Sequence, residues 1–87
     1  MHAVVIKATI TDRVALPTAL NELVPEASDA PGFVAGYWIV LGQDRGIAIV
    51  VFDSEASASL QALATQVAGT DAATIDSVEV GEVTAHA

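Results

Sequence analysis

The chain has 87 residues, 53% of them hydrophobic, no cysteine, and a formal net charge of −8 from eleven acidic and three basic residues. These numbers exclude disulfides, thiolate metal sites and thiol nucleophiles, and Lys7, Arg13 and Arg45 are too few for a patch that binds a phosphate backbone. A single domain, residues 1–87, of this size buries roughly 60% of its unfolded surface; with two histidines and no thiol, self-association is the expected source of extra stability.

His2 to Ile10 reads as a strand, with Val4, Ile6, Ala8 and Ile10 on one face and Ala3, Val5, Lys7 and Thr9 on the other. The chain enters this strand pattern at once, without the basic start of a signal peptide. No apolar run reaches the roughly 18–20 residues of a membrane span, so a cytoplasmic protein without nucleic-acid or membrane partners is expected. Thr11-Asp12 offers a turn and a helix cap.

Val14, Ala15, Leu16, Ala19, Leu20, Leu23, Val24 and Ala27 then recur at helical spacing. The helix starts either near Leu16, with Pro17 in its first turn, or at Asp12 with a bend, and Pro25 ends or kinks it. Ser28 to Gly32 is a turn cluster.

Phe33–Leu41 and Ile47–Phe52 are two apolar runs split by Gly42 to Gly46, a β-hairpin. Pairing Leu41 with Ile47 places Phe33, Ala35, Tyr37, Ile39, Ile49 and Val51 on one face. Val34, Gly36, Trp38, Val40, Ala48, Val50 and Phe52 take the other. Ser54 is the expected N-cap of a second helix whose apolar stripe is Ala56, Leu60, Leu63, Ala64 and Val67, with Gly69 just past its end. Thr70 to Thr74 reads as a loop. Asp76 to His86 reads as a last strand whose phase slips near Gly81-Glu82, the mark of a β-bulge.

The order β-α-β-β-α-β is the ferredoxin-like arrangement, an α+β fold with a four-stranded antiparallel sheet in order 4-1-3-2 and both helices on one face. The helices cover one face; the other carries large apolar groups and no polar set. Left wet, it exceeds the apolar patch usual for a monomer. A homodimer through the helix-free sheet face is therefore expected, the bulged last strand reaching toward the partner.

The segment Ala30-Pro31-Gly32-Phe33-Val34-Ala35-Gly36-Tyr37-Trp38 resembles the "PGF-x-x-G-Y" opening of the dimeric α/β-barrel superfamily. Val50-Val51-Phe52-Asp53-Ser54-Glu55-Ala56 is similar to that superfamily's junction of third strand and helix. With the element order the resemblance covers nearly the whole chain, and it is nearest in style to the antibiotic biosynthesis monooxygenase branch. It implies a dimeric barrel and, for an enzyme, oxygenation of a small aromatic or polyketide-like molecule without a cofactor. The superfamily spans several chemistries, so the catalytic residues stay unassigned.

The same resemblance frames the candidate ligand residues. Haem-degrading relatives carry a pocket asparagine at what looks like the position of Lys7, so haem degradation is not expected here. Lys7 either holds a substrate oxygen or snorkels and pairs with Glu79 or Glu82. Monooxygenase-like relatives have a tryptophan at the end of the third strand, where this chain has Phe52; Trp38 on the neighbouring strand supplies an indole instead. Trp38 and Phe52 either line a pocket for a flat ring or pack a closed core. Asn21 either projects into that pocket or faces solvent. Relatives with a catalytic histidine place it in or after the second helix, where this chain has none. His2 and His86, on neighbouring strand ends, either meet as a weak metal or pH-sensitive pair or are ordinary terminal residues; two ligands alone make a poor metal site, so none is expected. Glu22, Glu26, Asp29 and Asp71 read as solvated surface.

Overall fold

The structure is a computed structural model that describes residues 1–67 and 72–87. Its elements are β1 (His2–Ile10), α1 (Leu16–Asp29), β2 (Phe33–Leu41), β3 (Arg45–Phe52), α2 (Glu55–Val67) and β4 (Ala73–Glu82). The strands form one antiparallel sheet in the order β2-β3-β1-β4. This is the expected ferredoxin-like order, read from the opposite edge. No helix among the described residues is long and apolar enough to cross a membrane.

Alternation along β1 sets the two faces. Val4, Ile6 and Ile10 are buried on the face that meets the helices, together with Ala48, Val50 and Phe52 of β3. Phe52, Val4 and Val50 are almost wholly enclosed, each burial stabilising by about 1.5–3 kcal/mol. Ala27 of α1 and Ala58 and Ala62 of α2 close this core from the helix side.

The hairpin loop has three residues, not five. Leu41 pairs with Arg45, so Arg45 and Gly46 belong to β3. The shift from the expected partner, Ile47, is two residues, and an even shift leaves every side chain on its expected face. Phe33 is the exception. It pairs with Phe52 while Ala35 pairs with Val51, so Val34 is an extra, bulged residue. The bulge turns Phe33 onto the helix side, edge-on to Phe52 with ring centroids 6.2 Å apart.

β4 begins three residues earlier than expected and ends at Glu82. The backbone N–H groups of Thr11 and Asp12 donate to Ala72 O, which draws the start of the strand alongside the end of β1. Beyond Val83, whose N–H donates to Met1 O, no β1 residue remains to pair with. The bulge also differs in place. Lys7 pairs with Ser77 and Ala8 with Ile75, leaving Asp76 extra. Its carboxylate accepts the Thr9 hydroxyl at 2.7 Å, giving the bulge a local partner that Gly81 lacks the side chain to supply.

α1 starts at Leu16 with Pro17 in its first turn, where a missing N–H costs nothing. Asp12 caps by its side chain, accepting the N–H groups of Val14 and Ala15 at 3.1 Å each. Val14 itself is 91% exposed and outside the helix. Pro25 does not end α1, which runs on to Asp29.

Ser54 caps α2, accepting the Ser57 N–H at 3.2 Å. The sheet-facing stripe of α2 is Ala58, Gln61, Ala62 and Thr65, not the expected leucine stripe. Leu60 and Leu63 are 69% and 60% exposed, and Ala56 is exposed. Alanines let the helix approach the sheet closely, and that closeness decides which face turns inward. The side chain of Val67, the role of Gly69, and Thr70 and Asp71 lie outside the described residues.

Candidate functional site

α1 rests on β2, while α2 rests on β4, β1 and β3. Between the two helices and the sheet lies a cavity of about 340 Å³, open at one side. Its floor is Ile6, Ala8 and Ile10 of β1 with Ala48 and Val50 of β3. Half-buried Leu16, Leu20 and Leu23 form the α1 wall; Gln61, Ala64 and Thr65 form the α2 wall. The gap exists because alanines bring α2 to the sheet but fill little volume, so the leucines of α1 meet no large side chain opposite.

Trp38 lines this cavity and also packs against the core. Its ring lies over Gly36, two residues back on the same face. A Cβ at Gly36 would stand 2.6 Å and 2.7 Å from the ring atoms Cη2 and Cζ3. Glycine is thus the residue that lets the indole lie flat along β2. The strand itself is entered through Pro31-Gly32, where the Phe33 N–H donates to Ala30 O at 3.2 Å and Gly32 has φ of +82°. Those are the marks of a type II turn, which requires glycine at that place. A Cβ there would also strike the Asp53 carboxylate at 2.5 Å.

The four candidate residues separate. Trp38 is in the cavity. Phe52 is wholly buried in the core beside it and does not line it. Asn21 is exposed on α1 and outside the lining. Lys7 is on the helix-free face, exposed, in a depression with Arg45 and Asp76. The structure therefore does not bring Lys7 together with Trp38, and the β1 side chains that face the cavity are apolar. Nor does Lys7 pair with Glu79 or Glu82: among the described residues no carboxylate lies within 4.0 Å of it. His2 stands 3.8 Å from the Glu55 carboxylate at the start of α2.

Glu26 is the residue that sequence reasoning missed. It is exposed, as expected of solvated surface, and it also lines the cavity. The signal was present: Glu26 stands three residues after Leu23 and seven after Ala19, on the apolar stripe itself. It is the one ionisable side chain of the lining among the described residues. Gln61 adds an amide, whereas the Thr65 hydroxyl is already donated to Gln61 O at 2.9 Å. The cavity can hold an apolar body and offers a few polar contacts in its wall.

The helix-free face is also more mixed than expected. Tyr37, Ile39, Ile47, Ile49 and Val51 make it apolar over β2 and β3, and Tyr37 is 58% exposed. Lys7, Thr9, Ser77 and Glu79 make it polar over β1 and β4.

The architecture is ferredoxin-like: β-α-β-β-α-β with one four-stranded antiparallel sheet. Among solved structures the chain is similar to the haem-degrader MhuD from Mycobacterium tuberculosis with two haems in its active site: 21% identity over 98% of each chain, TM-score 0.59. It is likewise similar to a mutant MhuD with two manganese protoporphyrin IX molecules bound per active site: 22% identity over 98% of this chain and 97% of the other, TM-score 0.58. At these identities the likeness establishes the fold. No protein-family model matches the sequence, and no curated protein matches it.

Proposed function

We propose that the chain is a homodimeric, cytoplasmic barrel protein that takes a compact aromatic or polyketide-like molecule into the cavity beneath Trp38. The observation that carries this is the cavity itself. Trp38 and the α1 leucines leave apolar surface against open space, and an occupant recovers about 25 cal/mol for each Å² it covers. The dimer rests on the apolar half of the helix-free face, which a second sheet would bury.

For turnover, the reading is monooxygenase-like chemistry, as the sequence resemblance implies, with dioxygen as oxidant and the substrate as reductant. A methylene flanked by aromatic rings becomes a carbonyl, one oxygen atom entering the product and the other leaving as water. The chain's part is to exclude water from the ring and to fix its plane against Trp38. A second reading, ligand binding without turnover, is favoured by the scarcity of ionisable groups in the lining.

The two similar structures hold haem and manganese protoporphyrin IX, but this cavity does not fit a ligated haem. Haem iron is held by His, Cys, Met or Tyr, and none of these lines the cavity. Residues 66–71 contain none either.

The test is a thermal-shift screen with anthrones, naphthols, quinones and haem, followed by oxygen uptake on any hit. A dose-dependent rise in Tm that vanishes in the cavity-filling Ala64→Leu supports the site. Oxygen consumption then separates enzyme from binder. No shift with any compound defeats the reading.

A further inference from the structure

We infer that the cavity selects an uncharged flat ligand carrying a hydrogen-bond donor, and rejects ligands carrying a carboxylate, with Glu26 at its mouth as the selecting group. This rests on the cavity being a ligand site. The whole chain has three basic residues, and each is accounted for elsewhere. Lys7 and Arg45 lie together in the depression on the helix-free face. The Arg13 guanidinium donates to Gly42 O at 3.2 Å and Gln43 O at 3.0 Å, tying down the hairpin tip. None of the three lines the cavity.

An anionic ligand would therefore enter without a counter-ion, past an exposed carboxylate, in a protein of net charge −8. An ionised carboxylate accepts hydrogen bonds and donates none. Glu26 accordingly complements a phenol or aromatic amine, and the Gln61 amide, which both donates and accepts, suits a second polar atom. Selection by charge also bears on porphyrins, whose carboxylates would find no cationic partner here.

The experiment is calorimetric titration of the full chain with 2-naphthol and 2-naphthoate, at low and at high salt. The same titrations are run on Glu26→Gln and Glu26→Lys, with Ala64→Leu as the filled-cavity control. We expect 2-naphthol to bind at least about tenfold more tightly than 2-naphthoate at low salt, the ratio narrowing as salt screens the charge. Glu26→Gln should bring the two within about threefold, and Glu26→Lys should favour 2-naphthoate. Equal binding to the native chain, or a ratio unchanged in Glu26→Gln, overturns the charge selection. If that binding is lost in Ala64→Leu, the cavity reading survives the failure. If neither naphthalene binds, the cavity reading and the selection fall together.

Discussion

Gly36→Ala tests whether the sheet was shaped to hold Trp38. The added methyl would stand 2.6 Å from Cη2 of the indole, whereas ordinary contact begins near 3.4 Å. The ring must withdraw by the difference, 0.8 Å, and Phe33 already stands at 3.4 Å from the same methyl. Trp38 packs on the core and lines the cavity, so withdrawal disturbs contacts at both. Overpacking of this kind costs about 1–3 kcal/mol. Urea denaturation at fixed protein concentration measures that loss as a lowered midpoint at unchanged slope. The chain's single tryptophan supplies a second readout, since a displaced indole shifts its emission. A loss below about 0.5 kcal/mol with an unaltered emission spectrum would refute the close approach. So would a stabilised variant, because relief of glycine's backbone entropy would then outweigh the clash.

Four further outcomes are expected. Phe52→Ala should cost about 3–5 kcal/mol in the same denaturation, since the ring is wholly buried and Phe33 leans edge-on against it. Ser54→Ala should cost about 1 kcal/mol by removing the acceptor of the Ser57 N–H; an unchanged midpoint would show that the cap contributes nothing. On α2, Leu60→Gln should change stability by less than about 0.5 kcal/mol, whereas Ala58→Leu should lose about 1–3 kcal/mol; the opposite ranking would reverse the helix. Sedimentation should show a dimer at micromolar concentration and a monomer for Tyr37→Asp, which places a charge in the apolar half of the helix-free face.

The sequence alone determined the order of elements and the faces of the sheet. Period-two alternation in β1 and β3 is a local property of the backbone, and it survives the two-residue error in hairpin register. Turn chemistry was equally legible: Pro31-Gly32 and the Ser54 cap follow from backbone geometry within four residues of chain. The candidate site was less so. Trp38 was readable from its phase; Glu26 is exposed, as its charge suggested, but its place on the stripe of α1, which brings it to the cavity, was not read.

What only the tertiary structure decided is where distant surfaces meet. Two bulged residues, Val34 and Asp76, answer to mismatches between strands that no single strand contains. The face of α2 that turns inward was set by how near its alanines can come to the sheet, so its leucines point outward although hydropathy favoured them for the core. The cavity is the remainder of that compromise. A strand's periodicity fixes on which side a residue lies, but the volume left between two helices depends on every side chain that fails to fill it.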